Sequence, residues 1–195
     1  MKPNRLTLIL VAFLLLLCTP CVKAAERVGS ERNALKITFL SWATGSTKLS
    51  YERAFEEWRQ SGELCGSIIS AGYDGYHNRP VGFTLRYGHK FFIANYTPTK
   101  PLDGLYLRPE AIYCRYHYDH PEGHRALSEM GALLATAGYQ LTWHRWIVDG
   151  WVGAGYGYGT AASTGYQHGF RAWSIGESGS HHLALSFSIR VGLTF

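Results

Sequence analysis

The sequence predicts an all-β fold, an eight-stranded antiparallel up-and-down transmembrane β-barrel. Three observations carry this. The last stretch, residues 182–195, alternates Leu183, Leu185, Phe187, Ile189, Val191, Leu193 and Phe195 with Ala184, Ser186, Ser188, Arg190, Gly192 and Thr194. Successive side chains of a strand point to opposite faces, so this segment has one oily and one wet side. The chain is rich in the residues of barrel strands and turns, with 22 Gly and 13 Tyr. Finally, a basic start (Lys2, Arg5), an apolar run from Leu6 to Leu17 and the small-residue site Val22-Lys23-Ala24 read as a secretory signal. The run is too short to span a bilayer as a helix, and no later apolar stretch reaches that length.

Cys18 and Cys21 follow Leu17 and Pro20, where a lipobox wants a small residue, so cleavage after Ala24 is favoured over lipidation. Removal of residues 1–24 leaves 171 of the 195 residues, enough for one domain. The signal takes three of the 19 basic residues and none of the 14 acidic ones, so the mature chain is near +2. With no basic run besides, nucleic acid is not an expected partner. Two cysteines remain, Cys65 and Cys114, too few for a disulfide-stapled domain. They are expected as free thiols on strands three and five.

Residues 25–32 form a polar, flexible lead, and the barrel follows over 33–195. Strand one, 33–42, puts Leu35, Ile37 and Phe39 on one face and Lys36 and Thr38 on the other. Thr44-Gly45-Ser46 makes a tight turn into strand two, 47–55, with Leu49, Tyr51 and Phe55 out and Lys48, Ser50 and Glu52 in. Arg53 breaks the outer face where a long side chain can snorkel. Residues 56–62 form a polar turn with room for a short helix at Phe55 and Trp58. Strand three, 63–73, alternates worst; Ile68 and Ile69 are consecutive, which suggests a bulge. Strand four, 81–92, has Val81, Phe83, Leu85 and Tyr87 out and Arg86 in.

Strand five, 104–118, sets Leu105, Leu107, Ala111 and Tyr113 out and Arg108, Glu110, Ile112 and Cys114 in. Pro109 lacks a ladder donor, so a bulge is expected there. Strand six, 127–142, competes with a helix over 125–137, whose residues are good helix formers; its alternation favours a strand. Strand seven, 146–158, has Trp146, Val148, Val152 and Tyr156 out and Asp149 and Trp151 in. The longest connection, 159–181, precedes the closing strand. An even strand count puts both termini on the periplasmic side and that loop outside.

The expected inward charges are Lys36, Glu52, Arg86, Arg108, Glu110, Asp149 and Arg190, clustered in the periplasmic half. An eight-stranded barrel is only wide enough to be filled by side chains, so these read as an ion-paired plug. Acid/base work by the carboxylates is the competing reading. His120 and His124, with Glu122 between them, have metal-ligand spacing in an outer loop, though a solvated, pH-sensitive loop is the favoured reading. No metal and no cofactor is expected. Tyr166, Phe170 and Trp173 in the longest loop mark either a partner-binding surface or aromatics buried in the loop or headgroup zone. Tyr116, Tyr118, Tyr156 and Tyr158 at the outer ends, and Trp143, Trp146, Phe91, Phe92 and Phe195 at the periplasmic ends, suggest two interfacial girdles.

NALKITFLSW at 33–42, the turn after it and LSYERAF at 49–55 resemble a bacterial domain-of-unknown-function family of small outer-membrane β-barrel proteins. That family opens with a similar Asn-Ala-Leu-Lys strand and a Tyr-Glu-Arg partner. The resemblance covers about 25 residues and implies an outer-membrane barrel without a known active site. The tail departs from the usual assembly signal, which prefers glycine where Arg190 stands; Phe195 still fits recognition by the barrel-insertion machinery. The expectation is a non-enzymatic barrel in the bacterial (Gram-negative) outer membrane, in contact with its lipid. Its outer loops would anchor, bind a protein partner or assist surface or fimbrial assembly. One alternative is a barrel enzyme acting on lipid A or phospholipid, with His117, Ser128 and Glu129 near the outer rim. The other is a lipocalin-like periplasmic carrier, which needs the oily face inside.

Overall fold

The computed structural model describes residues 31–55, 59–74, 77–160, 165–166, 168–175 and 180–195. The expected secretory segment, most of the expected lead and part of the 56–62 turn lie outside the described residues. The chain forms a closed, antiparallel eight-stranded β-barrel. Its strands are β1 (Asn33–Thr38), β2 (Ser46–Ala54), β3 (Gln60–Ile69), β4 (Val81–Ala94), β5 (Gly104–Asp119), β6 (Arg125–Trp143), β7 (Trp146–Thr160) and β10 (His181–Thr194). Each pairs with its sequence neighbour, and β1 pairs with β10 to close the cylinder. Two short strands, β8 (Gly165–Tyr166) and β9 (Arg171–Ser174), form a hairpin within the longest loop.

Alternation runs through every barrel strand. Even-numbered residues of β1, β2, β4, β5, β6 and β10 and odd-numbered residues of β3 and β7 face the interior. The opposite face carries Leu64, Leu85, Leu133, Val152, Phe187 and Ile189, all exposed. The barrel is thus oily outside and charged inside, the reverse of what a soluble carrier requires.

Several local expectations are corrected. β1 stops at Thr38, and a 3₁₀ helix (Phe39–Thr44) replaces the end of strand one and its tight turn. The helix closes on Gly45 at φ +80°, a conformation glycine adopts without strain. β3 begins at Gln60 and ends at Ile69, and its register with β2 and β4 is continuous, so there is no bulge at the two isoleucines; Ile68 faces out and Ile69 in. β5 likewise runs unbroken against β6 through Pro109, opposite Ala135. The proline is accommodated on the other side, where the β4–β5 ladder passes from Gly88–Glu110 to Phe91–Leu107 without pairing the residues between. The register shift in that pair lies at Phe92 and Ala94 instead.

Residues 125–137 are strand: tertiary pairing on both edges outweighs their helix propensity. Tyr116, Tyr118 and Phe92 belong to the inner face, because they share parity with Arg108, Glu110 and Arg86; they are not girdle residues. Tyr156, Tyr158, Trp143, Trp146, Phe91 and Phe195 are exposed, with Phe39 and Trp42 of the 3₁₀ helix.

Candidate functional site

The interior holds two layers. Toward the chain termini lies a dense ionic layer; toward the opposite rim lies an apolar cluster of Ile69, Ile112, Cys114, Tyr116, Met130, Leu134, Phe170 and Ala184. The strands contribute six buried cations, Lys36, Lys48, Arg86, Lys90, Arg108 and Arg190, and four buried carboxylates, Glu52, Glu63, Glu110 and Asp149.

Lys36 sits at the centre. Its Nζ donates to Glu52 Oε2 at 2.5 Å, to Asp149 Oδ2 at 2.8 Å and to Glu63. Lys90 Nζ donates to the same Asp149 oxygen at 2.8 Å, to Glu52 at 3.0 Å and to Gln140 Oε1 at 2.5 Å. Tyr106 Oη donates to Asp149 Oδ1 at 2.5 Å, and Ser61 donates to Glu52. Glu63 also pairs with Arg108 at 3.3 Å and with Arg190. Arg108 bridges to Glu110 at 3.3 Å, and Arg86 grips Glu110 through Nε at 3.0 Å and Nη2 at 2.9 Å. The Trp151 ring underlies three guanidinium groups, with Arg190, Arg108 and Arg86 at 4.2, 4.7 and 5.6 Å from its centroid. Buried charges are tolerated only when paired and hydrogen-bonded, and these carboxylates are bonded to several donors each.

All seven charged residues expected inside are there. The sequence reading missed Glu63, which touches four cations, and Lys90. Glu63 lay on the strand placed too late; starting β3 at Gln60 puts Ser61, Glu63, Cys65 and Ser67 on one wet face. Lys90 lies two and four residues beyond Gly88 and Arg86, on the same face. Room for the long side chains comes from glycine: a Cβ at Gly88 would lie 2.5 Å from Arg108 Cδ, and one at Gly192 would lie 2.1 Å from the Leu35 carbonyl oxygen and 2.7 Å from Lys36 Cγ.

Glu52, Glu63 and Asp149 bring carboxylate oxygens within 4.8 Å of one another, as a metal site would. The ammonium groups of Lys36 and Lys90 fill that space. On the surface, His120, Glu122 and His124 also converge within 4.8 Å, their imidazoles stacked 4.7 Å apart. Two imidazoles and one carboxylate are one ligand short of a closed tetrahedral shell.

The longest loop does not display its aromatics together. Phe170 is buried in the barrel mouth with the apolar cluster, and His168 beside it packs edge-on against Tyr116 at 4.9 Å. Trp173 lies on β9, half-exposed under Arg171; the Tyr166 side chain lies outside the described residues. The loop folds back because β9 pairs with β10, with Leu185 opposite Arg171 and His182 opposite Ser174. Phe170 is therefore part of a plug. His117, Ser128 and Glu129 do not converge: Ser128 is buried inside while His117 and Glu129 face outward, Glu129 accepting a bond from Tyr113. Cys65 and Cys114 are free and buried.

Among the described residues no helix is long and apolar enough to cross a membrane, which does not bear on strands. Comparisons with protein-family models, with curated proteins and with solved structures return no match to this chain.

Proposed function

We propose that the protein is a non-enzymatic outer-membrane β-barrel of the small-barrel kind that its first hairpin resembles. In this reading the ionic layer seals the interior, lipid surrounds the wall, and the outer loops are presented to a protein partner. One observation carries this: a closed barrel that buries ten charged strand residues inside while Leu133, Val152 and Phe187 stand 64–78% exposed outside. In water such a belt would drive aggregation. In lipid it is the required surface, and the pairing of β1 with β10 closes the cylinder. Phe195 suits a handle for insertion: it is exposed, and its backbone N–H donates to the Asn33 carbonyl at 2.9 Å across that seam. The Ser128 and His117 arrangement offers no nucleophile–base pair, which supports a non-catalytic barrel over a lipid-modifying one.

The test is membrane fractionation followed by gel migration with and without boiling. The expected outcome is recovery with the outer membrane and a faster-migrating unboiled form. Recovery as a soluble periplasmic protein would sink the reading.

A further inference from the structure

The barrel wall is incomplete along one edge of β10. Its pairing with β1 ends at Thr38–Arg190, and its pairing with β9 begins only at Leu185–Arg171. Among the described residues, nothing pairs with the β1-facing edge of Ser186, Phe187, Ser188 and Ile189. From Leu185 to Arg190 this is about 17 Å of strand, at roughly 3.4 Å per residue. The gap exists because β1 stops early and the 3₁₀ helix turns the chain aside.

A cavity of about 510 Å³ occupies this break. Both faces of β10 line it: Ser186 and Ser188 from inside, Leu185, Phe187 and Ile189 from outside. It therefore passes through the wall. Its outer lip is apolar, with Leu40 of the 3₁₀ helix facing Phe187 and Ile189. Its charged lining groups are Lys48, Arg86 and Arg171, with no carboxylate among the lining residues. Arg86 uses four of its five guanidinium N–H groups, two on Glu110, one on Ser186 and one on the Gly169 carbonyl, which leaves one Nη1 proton. Two residues lining the cavity carry polar atoms without a hydrogen-bond partner, Thr38 Oγ1 and Trp151 Nε1, although the residues are only 7% and 5% exposed. A buried unsatisfied donor such as the indole N–H is costly unless something fills its place.

We propose that this break is a lateral binding portal for a single-chain amphiphile with a compact anionic head, the head inside against Lys48, Arg86, Thr38 and Trp151 and the acyl chain outside past Leu40, Phe187 and Ile189. The inference rests on the membrane reading above. The portal sits five or more residues below the start of β10, which is acyl-chain depth. A head reaching it leaves the interfacial zone, so it must be small and must find charge inside. A carboxylate or a phosphate ester meets both conditions.

The experiment is native mass spectrometry of the detergent-solubilised full chain. The probes are hexadecanoate, palmitoyl-lysophosphatidylglycerol, the matching lysophosphatidylcholine, acetate and inorganic phosphate. One equivalent of an anionic acyl probe is expected to bind at least about tenfold more tightly than the zwitterionic one, as charge-assisted bonds in a dry site imply. Whichever anionic probe binds better identifies the head as carboxylate or phosphate. Lys48→Gln should erase the preference, and Ser188→Phe, which fills the passage without changing charge, should remove binding. Equal binding of the zwitterionic probe, or unchanged binding in a folded Ser188→Phe variant, overturns the portal. Binding of acetate or phosphate as tight as the acylated probes shows an anion site without passage of the chain and overturns it too. Heat-modifiable migration of each variant reports folding; if Ser188→Phe does not fold, the Lys48→Gln comparison decides. Failure of the wild type to fractionate with membranes is read separately and bears on the membrane reading.

Discussion

At the scale of single residues, the interior is a set of charges that cannot be removed one at a time. Asp149 accepts bonds from Lys36, Lys90 and Tyr106. Asp149→Ala leaves two ammonium groups crowded at one site with less compensation, and truncating one partner of a buried ion pair costs about 3–5 kcal/mol. The expected outcome is a lowered temperature for loss of the fast-migrating gel form, with Asp149→Asn intermediate. His168 titrates differently. Burial, aided by the Lys48 ammonium, holds its imidazole down to about 4 from the ordinary 6.5. The undocked loop therefore binds a proton before the docked loop does, and docking is favoured more strongly as pH rises. The His168 contribution is complete above about pH 6.5 and is lost as pH falls toward 4. Proteolysis within residues 160–180 should quicken at pH 4.5 relative to pH 7.5, and His168→Gln should flatten that difference.

At the scale of elements, two features decide the wall. The seam between β1 and β10 is short and depends on Gly192, where any Cβ would meet the Leu35 carbonyl and the Lys36 stem. Gly192→Val should weaken the closing pair, seen as earlier unfolding in urea from lipid vesicles; an unchanged midpoint would deny the seam that role. The β8–β9 hairpin takes over from β1 along the upper part of β10, anchored by Phe170 among Ile112, Met130 and Leu134. Phe170→Ser removes that anchor and puts a hydroxyl in an apolar cluster, so the loop should become protease-sensitive while the barrel stays folded. The 3₁₀ helix completes the picture: by ending β1 at Thr38 it leaves four residues of β10 without a described partner on their β1-facing edge, and so creates the break in the wall.

At the scale of the molecule, ion pairs below and apolar side chains above fill the cylinder among the described residues, which supports the proposed sealed interior. Planar bilayers containing the protein should show conductance at background level. Discrete openings would contradict a sealed interior. The cavity beside β10 is lined by residues from both faces of that strand, with Lys48, Arg86 and Arg171 and no carboxylate among them.

Alternation was enough to expect an eight-stranded barrel and to pick seven of the ten strand charges buried in its interior. A strand has a two-residue period, and one face must differ from the other wherever its two surroundings differ. The same rule reaches Lys90, which shares parity with Arg86 inside strand four, and it reaches Glu63 once β3 starts at Gln60. The tertiary structure decided what no period encodes. Sequence separation carries no sign that Asp149 meets Lys36, 113 positions away. Nor does it show that Pro109 sits beside a ladder gap rather than in a bulge, or that Phe170 turns inward because β9 finds an open edge on β10. Those outcomes depend on which strand edges remain unsatisfied after the barrel closes, and closure is a property of all eight strands at once.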